Sequence, residues 1–511
     1  TTLFRSRETI RKAARTSSTV LKLMKLYPEY KYVCSQAPIY IWLKKYYPEL
    51  YEQICERIKE GRWEVAGSFF VECDTNIPSG ESLVRQILYG KEFFMQEFGL
   101  DMRVGFLPDA FGYSAVLPQL LIKSGTPYFM TQKLSYNDTN RFPRTTFIWQ
   151  GMDGSEVLVH MPPEDSYNSA AVPQMAIYGL YHNKDLDRCK EALMLYGIGD
   201  GGGGPGYEHF ERKRRMKNLK GCPPHKDGFV TDFFDRINEN RHLYRKWVGE
   251  LYLERHQGTY TSIAKVKLNN RRVEQKLHTF EWLSVLAEIR CGIPYPKERL
   301  ENIWKEILLY QFHDCLPGSA IDRVYKEVND GYERFITELD EGINTLLNKL
   351  ADTLDLKSYE EPVLLCNPTD FDRKEAITIN DRQFTADIPA YGITVFDMAK
   401  SKTVEPVAGK GLVLENERVY ARFTDKGTLE LLIHKESGFS MIKEGAEGNR
   451  LCLYPDELTH WDINKDYLKA QPEQARLVAY ESFEQGDLKG IRFEFAIGRS
   501  RIKQLVSLQK N

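Results

Sequence analysis

Apolar positions recur at helical spacing from the start of the chain. In RETIRKAARTSSTVLKLMKLYPEY, Ile10, Ala13, Val20, Leu21 and Met24 share one stripe that stops before Pro28. KYVCSQ reads as a strand. YIWLKKYYPELYEQICERIKEG reads as helix, broken at Pro48 and ended by Gly61. WEVAGSFF is a strand, SLVRQILYGKEFFMQEFG an amphipathic helix closed by glycine, MRVGFLP a strand and AVLPQLLIKSG a helix. PYFMTQKL and EVLVHMP follow as strands, then LDRCKEALMLYG as a helix before GDGGGGPG. Alternation of strand and helix from Arg7 to about Ile237 predicts a mostly parallel α/β sheet or barrel.

The pattern changes near Trp247. VEQKLHTFEWLSVLAEIR, KERLENIWKEILLYQFHD and IDRVYKEVNDGYERFITELDEGINTLLNKLADTL predict three long helices with short connections, a small bundle. After Leu354 come short β-type runs with Gly, Asn and Asp turns: EPVLLCNPTDF, KEAITIN, ERVYARFTDKGTLELLIHK and GIRFEFAIGRSRIKQLVSLQ. They predict an all-β domain, a sandwich. The expected division is 1–245 for the α/β domain, 246–350 for the helical domain and 351–511 for the β domain.

A chain of 511 residues exceeds one core and fits three domains. A net charge of -2 gives no basic surface for nucleic acid or an acidic membrane. No apolar run approaches the roughly 20 residues that span a bilayer. TTLFRSRETIRK lacks the apolar core of a signal peptide. Nine widely spaced cysteines without a CxxC fit reduced thiols and a cytoplasmic chain.

Asp109 stands just after Pro108, where MRVGFLP ends. Ligands of parallel α/β folds gather at the carboxyl ends of strands, where a carboxylate can be nucleophile, general base or metal ligand. An aspartate that opens a turn or caps the next helix is the plainer reading. His313 and Asp314, in QFHDCLPGSAI, follow a helix carrying Ile303, Trp304, Ile307, Leu308 and Phe312. A helix C-terminus favours a histidine on its own account. An imidazole metal ligand beside a hydroxyl-binding carboxylate is the alternative.

GDGGGGPG lacks the Gly-Lys-Ser/Thr ending of a phosphate loop. It is either a flexible turn or a place where backbone approaches a ligand, with Asp200 at a strand end. VECDTNIPSGES brings Glu72, Asp74, Asn76 and Glu81 beyond a strand, side chains that bind sugar hydroxyls and equally populate solvated loops. Tyr113, Tyr136 and Trp149 lie near these loops and could stack on a sugar face.

Taken together, five stretches resemble the glycoside hydrolase family 38 α-mannosidases in order and spacing. They are LPDAFGYSAVLPQLLIKSG, TQKLSYNDTNRFPRTTFIWQGMDGSEVLVHMPP, GDGGGGP, GELYLERHQGTYTS and QFHDCLPGSAI. The resemblance is greatest to the bacterial and cytosolic branch and runs from Arg7 to the end. It implies a seven-stranded β/α barrel, a three-helix middle domain and a C-terminal β-sandwich. It also implies a retaining, zinc-dependent hydrolysis of terminal α-linked mannose from oligosaccharides. On that pattern Asp109 matches the nucleophile and a zinc ligand, His313 a second ligand, and Asp314 a carboxylate on the sugar hydroxyls; Asp200 and Tyr113 join it as substrate-binding candidates. A retaining mechanism needs a second carboxyl as general acid. Asp200, Glu72, Asp74 and Asp165 are candidates, unranked.

The family pattern opens with a strand carrying His-x-Asp and then Trp, the source of two further zinc ligands. Here TTLFRS holds that place, and no His precedes His160. The resemblance therefore implies a chain truncated at both ends, without its first barrel strand and with an incomplete sandwich. Weak zinc binding and little activity follow as expectations. An opened barrel leaves strand edges that invite association of copies. The competing reading is a non-catalytic carbohydrate-binding relative, against which Asp109 and His313 are both retained.

Overall fold

The computed structural model describes residues 7–200, 202–456 and 460–509. In chain order the first elements are α1 (Arg7–Leu26), β1 (Tyr32–Cys34), α2 (Ala37–Tyr46), α3 (Pro48–Lys59), β2 (Trp63–Val65), α4 (Gly80–Phe98), β3 (Val104–Phe106), α5 (Leu117–Lys123), β4 (Tyr128–Met130), β5 (Thr146–Gln150) and β6 (Glu156–His160). Then come α6 (Pro173–His182), α7 (Tyr207–Met216), α8 (Val230–Asn238), β7 (Lys246–Val248) and the long helices α9 (Ala264–Cys291), α10 (Lys297–Tyr310) and α11 (Asp322–Ala351). The chain folds as two compact units. One holds 1–277, 296–341 and 459–462; the other holds 278–295, 342–458 and 463–511.

The first unit is built on short strands. β2, β3 and β4 are buried at every residue; β3 and β4 carry no charged residue, and the one charge in β2, Glu64, accepts the amides of Val230 and Thr231 at the start of α8. Five strands pair in the order β3-β4-β6-β5-β7, and β1 pairs with β2. All neighbours are parallel except β5 and β6. The Ser68 amide donates to the Val104 carbonyl at 3.0 Å, carrying the contact from the end of β2 to β3. The resemblance implies a seven-stranded barrel without its first strand; the described residues give seven strands in two sheets, and no pairing among them joins β7 to β1. Val104, Phe106, Tyr128, Met130 and Leu158 pack on Val230, Phe233, Phe234 and Ile237 of α8.

Two sequence expectations fail here. LDRCKEALMLYG is not helical: Leu186–Arg188 form a turn and the following residues have no regular structure, with Cys189, Leu193 and Leu195 packed at the sheet core. The helical spacing of its apolar residues yielded to burial against the sheet. β5 and β7, at TFIWQ and KWV, were not anticipated.

α4 is held against the segment after β2 at van der Waals limits. A Cβ on Gly90 would lie 2.4 Å from the Ser68 carbonyl oxygen and 2.7 Å from the Phe70 nitrogen. Neither neighbour is a movable side chain, so Gly90→Ala is expected to destabilise the protein by about 3 kcal/mol or more. A denaturant midpoint unchanged from the parent would show that the helix can slide away.

In the second unit, Leu283, Ala287, Leu346 and Leu350, from the last turns of α9 and α11, pack with Cys366 and Ile393. The strands there are β8 (Pro362–Asn367), β9 (Arg373–Ile379), β10 (Arg382–Ile388), β11 (Gly392–Asp397), β12 (Lys402–Thr403), β13 (Val407–Ala408), β14 (Val413–Glu415), β15 (Val419–Phe423), β16 (Leu429–His434), β17 (Phe439–Ser440), β18 (Cys452–Leu453), β19 (Glu473–Gln474), β20 (Arg476–Gln485), β21 (Leu488–Ile497) and β22 (Ser500–Gln509). A small layer pairs β12-β10-β9 and β11-β8 around Phe384, Ala386 and Ile388. A larger one stacks β14-β15-β16-β17 on β13-β20-β21-β22. Its core is Leu414, Ala421, Phe423, Ile491, Phe493 and Phe495. Alternation of Phe493, Phe495 and Ile497 with Glu494 and Ala496 is the period-two signal of a half-buried strand. All nine cysteines are free, and no helix among the described residues is long and apolar enough to cross a membrane.

Candidate functional site

β3, β4 and β6 are in register at their carboxyl ends: Phe106 faces Met130, and Met130 faces His160. Three residues beyond Phe106 comes Asp109, and three residues beyond Met130 comes Lys133. Equal offsets from one register row bring the two side chains together, with Lys133 Nζ 2.6 Å from Asp109 Oδ1. The lysine is nearly buried, its ammonium 5.2 Å from the centre of the Phe111 ring and 4.6 Å from that of Tyr136. Cation–π attraction keeps it there without a second anion.

The other half of the site arrives from α10. Beyond its C-terminus the chain clasps the segment after β2. Cys73 bridges Phe312, the Asp74 amide donates to the Gln311 carbonyl at 2.9 Å, and the His313 amide donates to the Glu72 carbonyl at 3.1 Å. The His313 ring uses the same carbonyl: Nδ1 lies 2.8 Å from Glu72 O. With Nδ1–H donated there, Nε2 is turned to Asp109 Oδ2 at 3.4 Å and Asp314 Oδ2 at 4.0 Å. The hydrogen-bonded backbone carbonyl fixes the tautomer, an arrangement typical of metal-binding histidines.

Burial opposes charge on Asp109, but hydrogen bonding to His313 and the positive charges of His313 and Lys133 outweigh it and hold the carboxyl well below the usual carboxylate range. Burial lowers the basicity of His313, yet Asp109, Asp314 and Glu72 together raise it above an ordinary histidine. Glu72 moves the other way from Asp109. Burial pushes its carboxyl up, only partly offset by His313 and by the Ser35 hydroxyl donating to Oε1 at 2.5 Å. The site thus holds one carboxyl whose pKa is lowered and another whose pKa is raised.

The remaining sequence candidates separate clearly. Asp314 is beside His313 and nearly buried; its Oδ1 accepts the Ser319 hydroxyl at 2.6 Å, and the charge of His313 offsets burial to lower its pKa. Asp74 is spent on a turn, its Oδ1 accepting the amides of Asn76 and Ile77 at 2.9 and 2.7 Å. Asp165, in the left-handed region at φ 55°, accepts the Tyr178 hydroxyl at 2.8 Å. Asp200 is exposed and follows no strand. The glycines after it bring backbone up to α1 rather than to a ligand: Gly203 N donates to Thr16 Oγ1 at 2.9 Å, and a Cβ on Gly204 would meet Val20 at 3.1 Å.

Tyr113 is only 1% exposed; its hydroxyl donates to the Leu107 carbonyl at 2.8 Å and bonds Thr131. Trp149 is fully buried, with its Nε1–H on the Gly249 carbonyl, and only Tyr136 of the three aromatics reaches solvent. Thr1–Ser6, the segment TTLFRS, lies outside the described residues.

Two residues of the site escaped the sequence reading. Lys133 was legible only through the shared offset from β3 and β4, which needs the register. Tyr167, on the loop after β6, is the other. Burial raises the pKa of its hydroxyl, and the charges of Asp109 and Asp200 raise it further.

Similarity to known proteins agrees with this geometry. Residues 3–250 match the glycosyl hydrolases family 38 N-terminal domain, 254–350 the alpha mannosidase middle domain and 414–511 the glycosyl hydrolases family 38 C-terminal domain. Alpha-mannosidase G of Dictyostelium discoideum is 36% identical over 513 residues, covering 89% of this chain and 47% of that protein. Alpha-mannosidase 2C1 of Homo sapiens is 37% identical over 474 residues, covering 89% and 45%. The alpha-mannosidase of Saccharomyces cerevisiae is 43% identical over 332 residues, covering 62% and 31%. The chain thus spans about half the length of the first two. The crystal structure of an alpha-mannosidase from Enterococcus faecalis shares the fold, with a TM-score of 0.74 at 15% identity over 96% of this chain and 65% of that one. Three successive domain models in their expected order, with relatives of this identity, leave one assignment: the chain belongs to glycoside hydrolase family 38.

Proposed function

We propose that the protein is a retaining α-mannosidase that removes terminal α-linked mannose from oligosaccharides, with Asp109 as nucleophile. The observation that carries this is the Asp109 carboxylate, held ionised at a strand end between Lys133 and His313. A retaining glycosidase needs one such carboxylate to form the glycosyl intermediate and a second carboxyl to protonate the leaving oxygen. Asp74 and Asp165 are engaged elsewhere, which leaves Glu72 and Asp200 for the acid. Glu72 has the raised pKa of an acid; Asp200 has solvent access and a charge felt at Tyr167. Asp314, with Oδ2 toward His313, is the carboxylate that this reading assigns to the sugar hydroxyls.

The donor set suits zinc as far as it goes. His313 Nε2 and Asp109 Oδ2 converge and would hold the ion, and the backbone-bonded Nδ1 supports that role. When bound, zinc supplies polarisation of the sugar hydroxyls. Among the described residues no group of three or more His, Cys, Asp or Glu side chains stands ready for a metal, whereas such sites usually have three or four protein ligands. This supports a second reading for the chain as it stands, namely impaired turnover with carbohydrate binding retained.

Zinc content and hydrolysis of an aryl α-mannoside, measured together on the purified chain, test both. Substoichiometric zinc with slow hydrolysis that rises on added zinc is the expected result. Stoichiometric zinc with rapid hydrolysis would overturn the impairment. No hydrolysis at saturating zinc would leave only the binding reading. The nine free thiols fit a reducing compartment, and we propose a cytoplasmic location.

A further inference from the structure

Gln311 closes α10 two residues before His313 and is fully buried. Its Nε2 lies 3.0 Å from Ser82 Oγ, 3.1 Å from Asn270 Oδ1 and 3.2 Å from Glu274 Oε1, and its Oε1 faces Gln86 Nε2 at 3.4 Å. Glu274, on α9, is buried too. The same Oε1 accepts the Ser79 amide at 2.9 Å and the Ser82 hydroxyl at 2.6 Å, at the start of α4, and Arg271 Nη1 lies 2.8 Å from the other oxygen. Gln86, fully buried on α4, reaches the same place from the opposite side. It donates to the Leu308 carbonyl at 2.9 Å and accepts the Val71 amide at 3.2 Å. One side chain thus holds both α10 and the segment after β2, the two pieces that Cys73 and Phe312 bridge.

Apolar packing is non-directional and tolerates small slides of one helix along another. Hydrogen bonds are directional, and a buried network with its members bonded rigidifies what it joins. Here it joins α4, α9 and the end of α10, all within the compact unit that holds Asp109. The turn that follows depends on it. The Gln311 carbonyl accepts the Asp74 amide, and the His313 amide and ring both use the Glu72 carbonyl. A shift of Gln311 therefore moves both ends of this clasp, and with it His313 Nε2, which stands 3.4 Å from Asp109 Oδ2.

We infer that Gln311 is a positioning residue of the Asp109 site: buried away from any ligand, its side-chain amide, tied to Glu274 and Gln86, fixes the turn that aims His313 Nε2 at Asp109. The inference rests on the zinc-dependent α-mannosidase reading and deepens it, by naming what holds the histidine in place.

The test is the zinc affinity of the purified full chain, by competition with a chromophoric chelator, beside its melting temperature. Gln311→Met keeps the volume and removes the amide. It is expected to weaken zinc about tenfold, the low end of what loss of a partner behind a metal ligand costs. Glu274→Leu takes the acceptor away from α9 without altering the turn and should act in the same direction. Glu274→Gln keeps an acceptor oxygen there and should stay within about twofold of the parent. Leu346→Ala, in the core of the other compact unit, controls for stability: it should lower the melting temperature and leave zinc affinity unchanged. In the metal-free protein at alkaline pH, NMR of isotope-labelled histidine should show His313 as one tautomer, protonated at Nδ1, in the parent and as a mixture in Gln311→Met. Parent-like zinc affinity and a single tautomer in Gln311→Met and Glu274→Leu would overturn the inference. So would a loss of affinity in Leu346→Ala as large as theirs, which would trace the effect to stability. If Gln311→Met does not fold, Glu274→Leu against Glu274→Gln decides by the same criterion. A parent chain that binds no zinc would sink the metal part of the α-mannosidase reading, and the tautomer, which needs no zinc, would then decide the inference.

Discussion

Asp109→Asn is expected to lower kcat for an aryl α-mannoside by about 10⁴-fold or more, the scale seen when a covalent nucleophile is removed. The same change should cost stability, because it leaves Lys133 without its anion. Lys133 is nearly buried and 2.6 Å from Asp109 Oδ1. Breaking a buried pair from one side costs about 3–5 kcal/mol, since the remaining charge stays desolvated. Asparagine still accepts a hydrogen bond and Asp109 is partly exposed, so the lower end is expected here. Adding Lys133→Met should then recover most of the melting temperature while hydrolysis stays lost. That separation distinguishes the chemical role of the carboxylate from its structural one. An Asp109→Asn enzyme within tenfold of the parent kcat would show that another group attacks the sugar.

His313→Gln is expected to weaken zinc binding at least about 100-fold, more than the loss of an outer-shell partner gives. The pH dependence follows from the pair. Asp109 has a depressed pKa in the fold, so its stabilising contribution is present above the unfolded value of about 3.9 and is lost as pH falls through the folded value. His313 has a raised pKa, so its contribution is present below the unfolded value of about 6.5 and is lost as pH rises through the folded one. The metal-free protein should therefore gain most from this pair between about pH 4 and 6.5 and lose part of that gain on the alkaline side. Zinc needs the neutral imidazole and displaces its proton, so protection by zinc should grow as pH rises. Melting temperatures with and without zinc at a series of pH values check this. The zinc-induced rise should increase towards alkaline pH in the parent and vanish in His313→Gln. Equal protection of the variant would remove His313 from the metal site.

Much of the architecture was legible in local periodicity. The stripe on α1, the break at Pro48, the glycine stops after α3 and α4, and the three long helices all depend on spacing within one element. The alternation of β21 is of the same kind. Local signals failed where burial overrode them. KEALML has helical spacing, but it has no regular structure and packs Leu193 and Leu195 at the sheet core. β5 and β7 went unread although strands as short, such as β3 and β4, were anticipated.

The candidate site divides in the same way. Asp109, His313 and Asp314 stood out as chemistry at the ends of elements, and motif resemblance tied them together. Their distances, and the presence of Lys133 and Tyr167, depend on which strands pair and in what register, which no short stretch contains. Tyr113, a candidate from its place near these loops, is turned inward after β3, its hydroxyl on Leu107 and Thr131.

By itself, then, the sequence determined the long helices and several of the strands, the residue types able to do the chemistry and the family. The tertiary structure decided which carboxyl is ionised and which is pushed towards its protonated form, and brought His460–Asp462 to His256 across some 200 residues of chain. The physical reason is that helix and strand periodicities are set by neighbours a few residues away. Charge state, by contrast, is set by burial and by groups within a few ångströms, and these come together only when strand ends from distant parts of the chain meet.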